Sequence, residues 1–331
     1  MAEAEREPAK PFDCIILGGG PAGLAAGVYL GRYLRSTLIL DHKKPQTRWH
    51  RPIAHNVLGF PSGIHRNQLL DWGRAHVAKY ECVQMKRTTV VRITQEAGGE
   101  EPPFVLTDDE GEVYRSRALI LATGIEYLLP EIPEILTFAG HSVWHCPECD
   151  GYKCLGKKIV VIGNDAGSAE MALNVSIWAD EVTLCTNGKK PEMDGEARGK
   201  LKAANIRVVE GKVRRIVGDG SEGAEGMLVG LEVEKESGGV EVIAAYGAFA
   251  NEGCTVPDEL LGQLPLELHK GRWVKVDHRM RTNIPRCYAA GDIVANAQTQ
   301  LSVAMGTGAT AAIWLHKELL PAGLCLSGRE W

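Results

Sequence analysis

Hydrophobic positions along the chain fall into short unbroken runs, each ending on a turn rich in small residues. Phe12-Asp13-Cys14-Ile15-Ile16-Leu17 runs into Gly18-Gly19-Gly20-Pro21-Ala22-Gly23. Leu24 to Leu30 then repeats at helical spacing, and Thr37-Leu38-Ile39-Leu40-Asp41 forms a second apolar run. This layout predicts strand, glycine turn, helix and strand. It returns at Lys158-Ile159-Val160-Val161-Ile162, the turn from Gly163 to Ser168, the stretch Ala169 to Leu173, and the run Glu181 to Thr186. Self-similarity of this kind predicts two nucleotide-type α/β folds in one chain.

Between and after these repeats the pattern alternates or breaks. Asp71 to Val83 reads as a helix, and Thr88 to Ile93, Phe104 to Thr107 and Ala118 to Leu121 read as strands. Further strands are expected at Gly226 to Val233 and Val240 to Ile243. Pro130 and Pro133 punctuate the chain where a domain crossing is expected. Ala295 to Leu319 reads as a loop leading into an alanine-rich helix interrupted by Gly306 and Gly308.

Composition narrows the class. A chain of 331 residues is too long for one core and suits two domains. With 44% hydrophobic and 24% charged residues it has a soluble globular balance, and a net charge of -5 argues against general affinity for nucleic acid or anionic membrane. The charged opening, Met1 to Lys10, is no secretory segment, and a cytoplasmic location is expected. Nine scattered cysteines do not make a secreted disulfide framework; Cys14 and Cys287 read as buried small hydrophobes. Only Cys146 and Cys149 form a tight pair.

The candidate chemistry sits at the turns and at that pair. In the first turn, Gly18 permits a tight bend, Gly20 allows a pyrophosphate to approach the backbone, Gly23 lets helix and strand pack, and Asp41 suits a ribose hydroxyl. Pro21, Ala22, and the strand end Ala122-Thr123-Gly124 extend that cradle. Gly291 and Asp292, with Gln300 and Leu301 downstream, place another acid at a strand end, suited to a chain of hydroxyls. The irregular stretch Thr47 to Pro61 offers His50, His55 and Asn56 either to a cofactor or to local backbone groups. In Cys146-Pro147-Glu148-Cys149-Asp150, the sulfurs can close a disulfide and Asp150 can move the proton that thiol exchange needs. The same spacing also opens zinc sites, with His141, His145 and Cys154 nearby.

The second turn departs from the first. Asp165 and Ser168 stand where a nucleotide turn has glycines, and Glu181 to Thr186 ends without a ribose acid or an arginine cluster for a 2'-phosphate. A carboxylate at the phosphate position weakens nucleotide binding by repulsion and by lost backbone access. Lys189 and Lys190 lie close by, in what reads as a solvated turn.

Together, Gly18 to Gly23, Ala122-Thr123-Gly124, Cys146 to Gly151, and Ala289-Ala290-Gly291-Asp292 with Gln300 make a chain that resembles the low-molecular-weight thioredoxin reductases of the pyridine nucleotide-disulfide oxidoreductase group. The resemblance spans nearly the full length and sets zinc aside. It implies two Rossmann-like (three-layer) nucleotide-binding domains, the second inserted in the first: residues 1–129 and 254–331 for FAD, and residues 130–253 carrying the cysteine pair. It implies further that Cys149 meets the flavin, Cys146 exchanges with the outside substrate, Asp150 is the acid, Asp292 holds the ribityl chain and Asn56 lies near the ring system. Members are typically homodimers.

The altered second turn makes NADPH an unexpected electron donor, as in relatives fed by ferredoxin, relatives holding a second FAD, and dithiol oxidases that use oxygen. The loop His55 to Pro61 also resembles the diflavin-linked and oxidase branches, whereas Asp150 resembles the reductases. The expected function is FAD-dependent dithiol/disulfide exchange with a thioredoxin-like protein, a ferredoxin-linked chain, or a small or membrane-associated dithiol. An ordinary NADPH-dependent thioredoxin reductase, a dithiol oxidase using oxygen and a flavin redox sensor without turnover are the alternatives.

Overall fold

A computed structural model describes residues 10–43, 53–96, 103–220, 226–235, 238–250, 252–295 and 297–321. The chain divides into two compact units: Met1–Gln46, Asn67–Glu126 and Thr255–Trp331 form the first, and Thr47–Arg66 with Tyr127–Cys254 form the second. The described part of the segment after the second strand, 53–66, groups with the second unit, as a small hairpin pairing Ile53–Ala54 with Ile64–His65.

In chain order the first unit begins with β1 (Phe12–Leu17), α1 (Pro21–Arg32) and β2 (Thr37–Asp41). It continues, after the segment that groups with the second unit, through α2 (Arg66–Val77), β3 (Val83–Arg87), β4 (Val90–Gln95), β5 (Phe104–Asp108) and β6 (Val113–Leu121). The second unit carries β7 (Val143–Trp144), α3 (Pro147–Asp150), β8 (Lys158–Ile162), α4 (Ala166–Val175), β9 (Glu181–Cys185) and α5 (Gly195–Ala203). It ends with β10 (Arg207–Val209), β11 (Gly211–Gly218), β12 (Leu228–Lys235), β13 (Val240–Ala244) and β14 (Gly247–Ala250). The chain then returns to the first unit for β15 (Cys287–Ala289) and α6 (Leu301–Glu318).

Both units follow one plan. In the first, β3, β2, β1 and β6 lie side by side and parallel, β15 also pairs parallel with β6, and β5 and β4 extend the sheet antiparallel. In the second, the parallel order is β7, β14, β8, β9, β10, accompanied by an antiparallel meander β11, β12, β13. The unbroken apolar runs follow from this: Cys14 to Leu17 and Ile159 to Ile162 are buried throughout, as parallel strands covered on both faces must be. Cys14 and Cys287 are fully buried, and burial pushes the Cys287 thiol up to about 12.

Two expected helices differ from those observed. The helix expected over Asp71 to Val83 runs over Arg66–Val77 instead, because Val83 to Arg87 pairs in register with Thr37 to Asp41, and that ladder overrides helical spacing. The C-terminal helix is continuous through both glycines. A Cβ at Gly308 would lie 2.1 Å from the carbonyl oxygen of Ala22, so this glycine lets α6 rest directly on the first turn of α1. At Gly306 a Cβ would meet nothing within 4 Å.

The two glycines therefore separate packing from propensity. Gly308→Ala is expected to destabilise the first unit by roughly 1–3 kcal/mol through overpacking. Gly306→Ala is expected to stabilise it by up to about 1 kcal/mol through helix propensity. Urea unfolding of both variants checks the pair.

Candidate active site

The first unit builds a cradle from the carboxyl ends of β1, β2, β6 and β15 and the start of α1. Gly18 has φ 116°, and a Cβ there would fall 2.3 Å from the Ala122 carbonyl oxygen, so the end of β6 abuts the turn. A Cβ at Gly23 would fall 1.9 Å from the Gly18 carbonyl oxygen. These contacts draw strand and helix into backbone-on-backbone approach. Gly20 caps α1 with no side-chain hydrogen bond, Pro21 opens the helix, and the space where a Gly20 Cβ would stand is open to 4 Å. A helix start of this form presents N–H groups and a partial positive charge to an anion.

Asp41 closes the side of the cradle. Its Oδ1 accepts a hydrogen bond from the Gly19 N–H at 2.9 Å, and Arg74 of α2 lies 3.7 Å from Oδ2. Thr123, between Ala122 and Gly124, has a buried hydroxyl without a hydrogen-bond partner among the described residues. The Ala290 N–H donates to the Leu121 carbonyl, which sets Gly291 and Asp292 beside the end of β6. Gly291 has φ 77°, and its N–H donates to the Thr307 hydroxyl at 3.0 Å. Gln300 precedes α6 and Leu301 opens it, with the Gln300 carbonyl accepting from the Ala304 N–H. An open helix start, a ribose-suited acid, an orphaned buried hydroxyl and two backbone approaches that a Cβ would block fit a dinucleotide such as FAD.

The structure thus brings together Gly18, Gly20, Pro21, Ala22, Gly23, Asp41, Ala122, Thr123, Gly124, Gly291, Asp292, Gln300 and Leu301 within one unit. His55 and Asn56 group with the other unit, where the His55 ring packs on Gly63 of the small hairpin. His50 lies outside the described residues.

In the second unit, Cys146 and Cys149 form a disulfide with Cα atoms 5.4 Å apart. A structural zinc would need both sulfurs as thiolates; here they are bonded to one another. Cys146 caps α3 and is 6% exposed, whereas Cys149 is half-buried. Glu148 places Oε2 3.6 Å from the Cys146 sulfur. Asp150 is 5% exposed, and its Oδ1 accepts from the Lys153 ammonium at 2.9 Å. Trp144 is a packing residue, buried against Gly247, but Tyr152 is 78% exposed.

The altered second turn is closed from within. Asp165 caps α4: its Oδ1 accepts from both the N–H and the hydroxyl of Ser168, at 2.8 and 2.5 Å. The following loop crosses the turn, with Glu192 N–H donating to the Asn164 carbonyl and Asn164 Nδ2 donating to the Lys190 carbonyl. Lys189, expected in a solvated turn, forms an ion pair with the partly buried Glu252.

A family model for pyridine nucleotide-disulphide oxidoreductases matches residues 12–308. The chain belongs to that family. It is similar to a structure described as a thioredoxin reductase, TrxB, from Bacillus anthracis, at 27% identity and TM-score 0.80, covering 93% of this chain and 98% of that one. Among curated proteins it is similar to alkyl hydroperoxide reductase F of Staphylococcus aureus, 27% identical over 317 residues, covering 94% of this chain and 59% of that protein. It is also similar to a 34.2 kDa protein in the rubredoxin operon of Clostridium pasteurianum, 26% identical over 312 residues, covering 93% and 97%. The chain spans about three fifths of the length of the Staphylococcus aureus protein, 59%, and of the similar NADH dehydrogenase of Bacillus subtilis, 58%.

Two polar contributors carry no clear signal in the sequence. Arg74 gives none, since one arginine on a polar helix face is usually solvated. Thr307 sits between two glycines that suggest a helix interruption, yet its hydroxyl donates to the carbonyl of Val303 or Ala304 while accepting from Gly291.

Thr307 therefore pins the turn that carries Asp292. Thr307→Val leaves the Gly291 N–H unpaired, a loss of roughly 1–3 kcal/mol, and is expected to weaken flavin retention about tenfold, whereas Thr307→Ser retains it. Flavin fluorescence released during dilution and ultrafiltration measures the difference.

Proposed function

We propose that the protein is an FAD-dependent dithiol/disulfide oxidoreductase that exchanges electrons between the flavin and the Cys146–Cys149 pair, and between that pair and an outside thiol or disulfide, without NADPH as donor. Bound in the first cradle, the flavin supplies a two-electron carrier. Gly18, Gly20, Gly23, Asp41, Thr123 and Asp292 are the residues assigned to hold it. Cys149 is assigned to the flavin side and Cys146 to the outside partner, with Asp150 moving the proton.

The observation that carries NADPH independence is the contrast between two helix starts. At α1 the first N–H groups have no side-chain acceptor, because Gly20 is the cap. At α4 the Asp165 carboxylate takes the Ser168 N–H that a pyrophosphate would otherwise use, and brings a negative charge to the same place. The loop from Lys189 to Glu192 adds hydrogen bonds across that turn. The same closure weighs against a second FAD there, so one flavin per chain is expected.

The similarity to a thioredoxin reductase supports a thioredoxin-like partner and a homodimer, and the same outside thiol site also suits a small or membrane-associated dithiol. A ferredoxin is a candidate electron source because it needs no nucleotide turn. Among the described residues no helix is long and apolar enough to cross a membrane.

Flavin release and counting should give one FAD per chain. Under anaerobic conditions NADPH should leave the flavin yellow through many turnover times of an ordinary reductase, while a dithiol should bleach it. Rapid bleaching by NADPH would return the protein to the nicotinamide-dependent reductases, and two flavins per chain would place a second FAD in the altered turn.

A further inference from the structure

Asp150 is held in an unusual way for a buried acid. One oxygen, Oδ1, is fixed by the Lys153 ammonium at 2.9 Å, while Oδ2 is buried with no hydrogen-bond partner among the described residues. A buried carboxylate oxygen left unpartnered is costly and contributes nothing to stability, and a redox or catalytic role is one of the few reasons to keep it. Lys153 is itself fixed: its ammonium lies 6.0 Å from the centre of the Trp144 ring, and Trp144 is locked against Gly247. The short helical turn Gly151–Cys154 that carries Lys153 is held from the other side, since a Cβ at Gly151 would meet the Trp178 ring at 2.6 Å. The backbone of Asp150 is tied to the redox pair through its N–H, which donates to the Cys146 carbonyl.

We propose that Lys153 is a positioning residue for thiol exchange: by occupying Oδ1 it leaves Oδ2 as the oxygen at which Asp150 gives and takes the proton. This rests on the assignment of Asp150 as the proton carrier. In the reducing direction, one thiol of an outside dithiol gives its proton to Oδ2 and attacks one sulfur of the pair as the thiolate, forming a mixed disulfide and expelling the other sulfur as a thiolate, which takes that proton from Oδ2. The second thiol of the dithiol, giving up its proton, attacks the mixed disulfide and expels the remaining cysteine, which is protonated in turn. The pair gains two electrons and two protons, and the outside dithiol loses the same. The oxidising direction runs through the same steps in reverse.

A positioning role predicts non-additivity, because Lys153 acts only through Asp150. The test mixes full-length flavoprotein with dithiothreitol without air and reads the first-turnover rate as protein thiols formed plus any flavin bleached. Asp150→Asn should slow the step on the order of 100-fold, the scale of one proton-transfer group. Lys153→Met should slow it roughly 10-fold as part of that effect. Lys153→Arg should restore the rate to within about twofold, since its guanidinium also reaches a carboxylate oxygen. The double variant Asp150→Asn/Lys153→Met should be no slower than Asp150→Asn alone. Thermal melts verify folding, and Lys153→Gln replaces Lys153→Met in the cycle if the latter does not fold.

The outcomes are distinct. If Asp150→Asn keeps the parent rate, the proton-carrier assignment itself falls. If Asp150→Asn is slow but Lys153→Met and Lys153→Gln are not, the role of Lys153 is overturned while that assignment stands. Equal slowing by Lys153→Met in both backgrounds would also overturn it, because a merely structural loss does not depend on the carboxylate.

Discussion

Backbone packed directly on backbone at the first turn of α1 is the constraint on which the first unit depends. The Gly23 Cα sits against the Gly18 carbonyl, Gly18 against Ala122, and Gly308 against Ala22, so that strand ends and two helices meet at one point with no side chain between them. This contact sets the start of α1 at the carboxyl edge of a parallel sheet with its N–H groups unspent. A helix start so placed favours an anion because its partial charge and its unpaired donors coincide. The Asp41 carboxylate, anchored by Gly19 N–H, and the Gly291-Asp292 turn, anchored by Thr307, are ordered around the same point.

The second unit shows what happens when the same topology is given one different side chain. Its parallel strands, turn and helix repeat the first unit's plan, but Asp165 supplies from within the chain the negative charge and the acceptor that α1 leaves to a ligand. The helix start is satisfied from within the chain, while the unit keeps its fold and carries the Cys146–Cys149 disulfide. One element type is thus left without a side-chain cap in one unit and capped by a carboxylate in the other. Specialisation of this sort needs no change in topology, since function lives in the site and not in the fold.

Much of this is legible in the residues. Unbroken apolar runs mark the parallel strands, and the glycine spacing at Gly18, Gly20 and Gly23 marks the cradle, because both signals are local and tied to steric rules. The closing of the cysteine pair is readable from its spacing. What is not legible depends on distant partners. Val83 joins a strand only because β2 lies beside it, the hairpin at residues 53–66 groups with the second unit through tertiary contacts, and Gly308 is a packing contact only when Ala22 is opposite. Asp165 is visible in the sequence as an obstacle to phosphate, and the structure adds that it is also the helix cap. Lys153 looks like one more surface lysine until the buried Asp150 is found holding its ammonium.

The central claim is that a flavin and the Cys146–Cys149 disulfide form one electron-sharing system within each chain. Anaerobic reductive titration of the purified flavoprotein tests it most directly, with absorbance and free thiols followed together. Uptake of about four electrons per chain, two for the flavin and two for the disulfide, falling to about two in Cys149→Ser, is the predicted result. A colourless protein, or a flavin that accepts its electrons while the disulfide stays closed and the Cys149→Ser variant titrates identically, would contradict it.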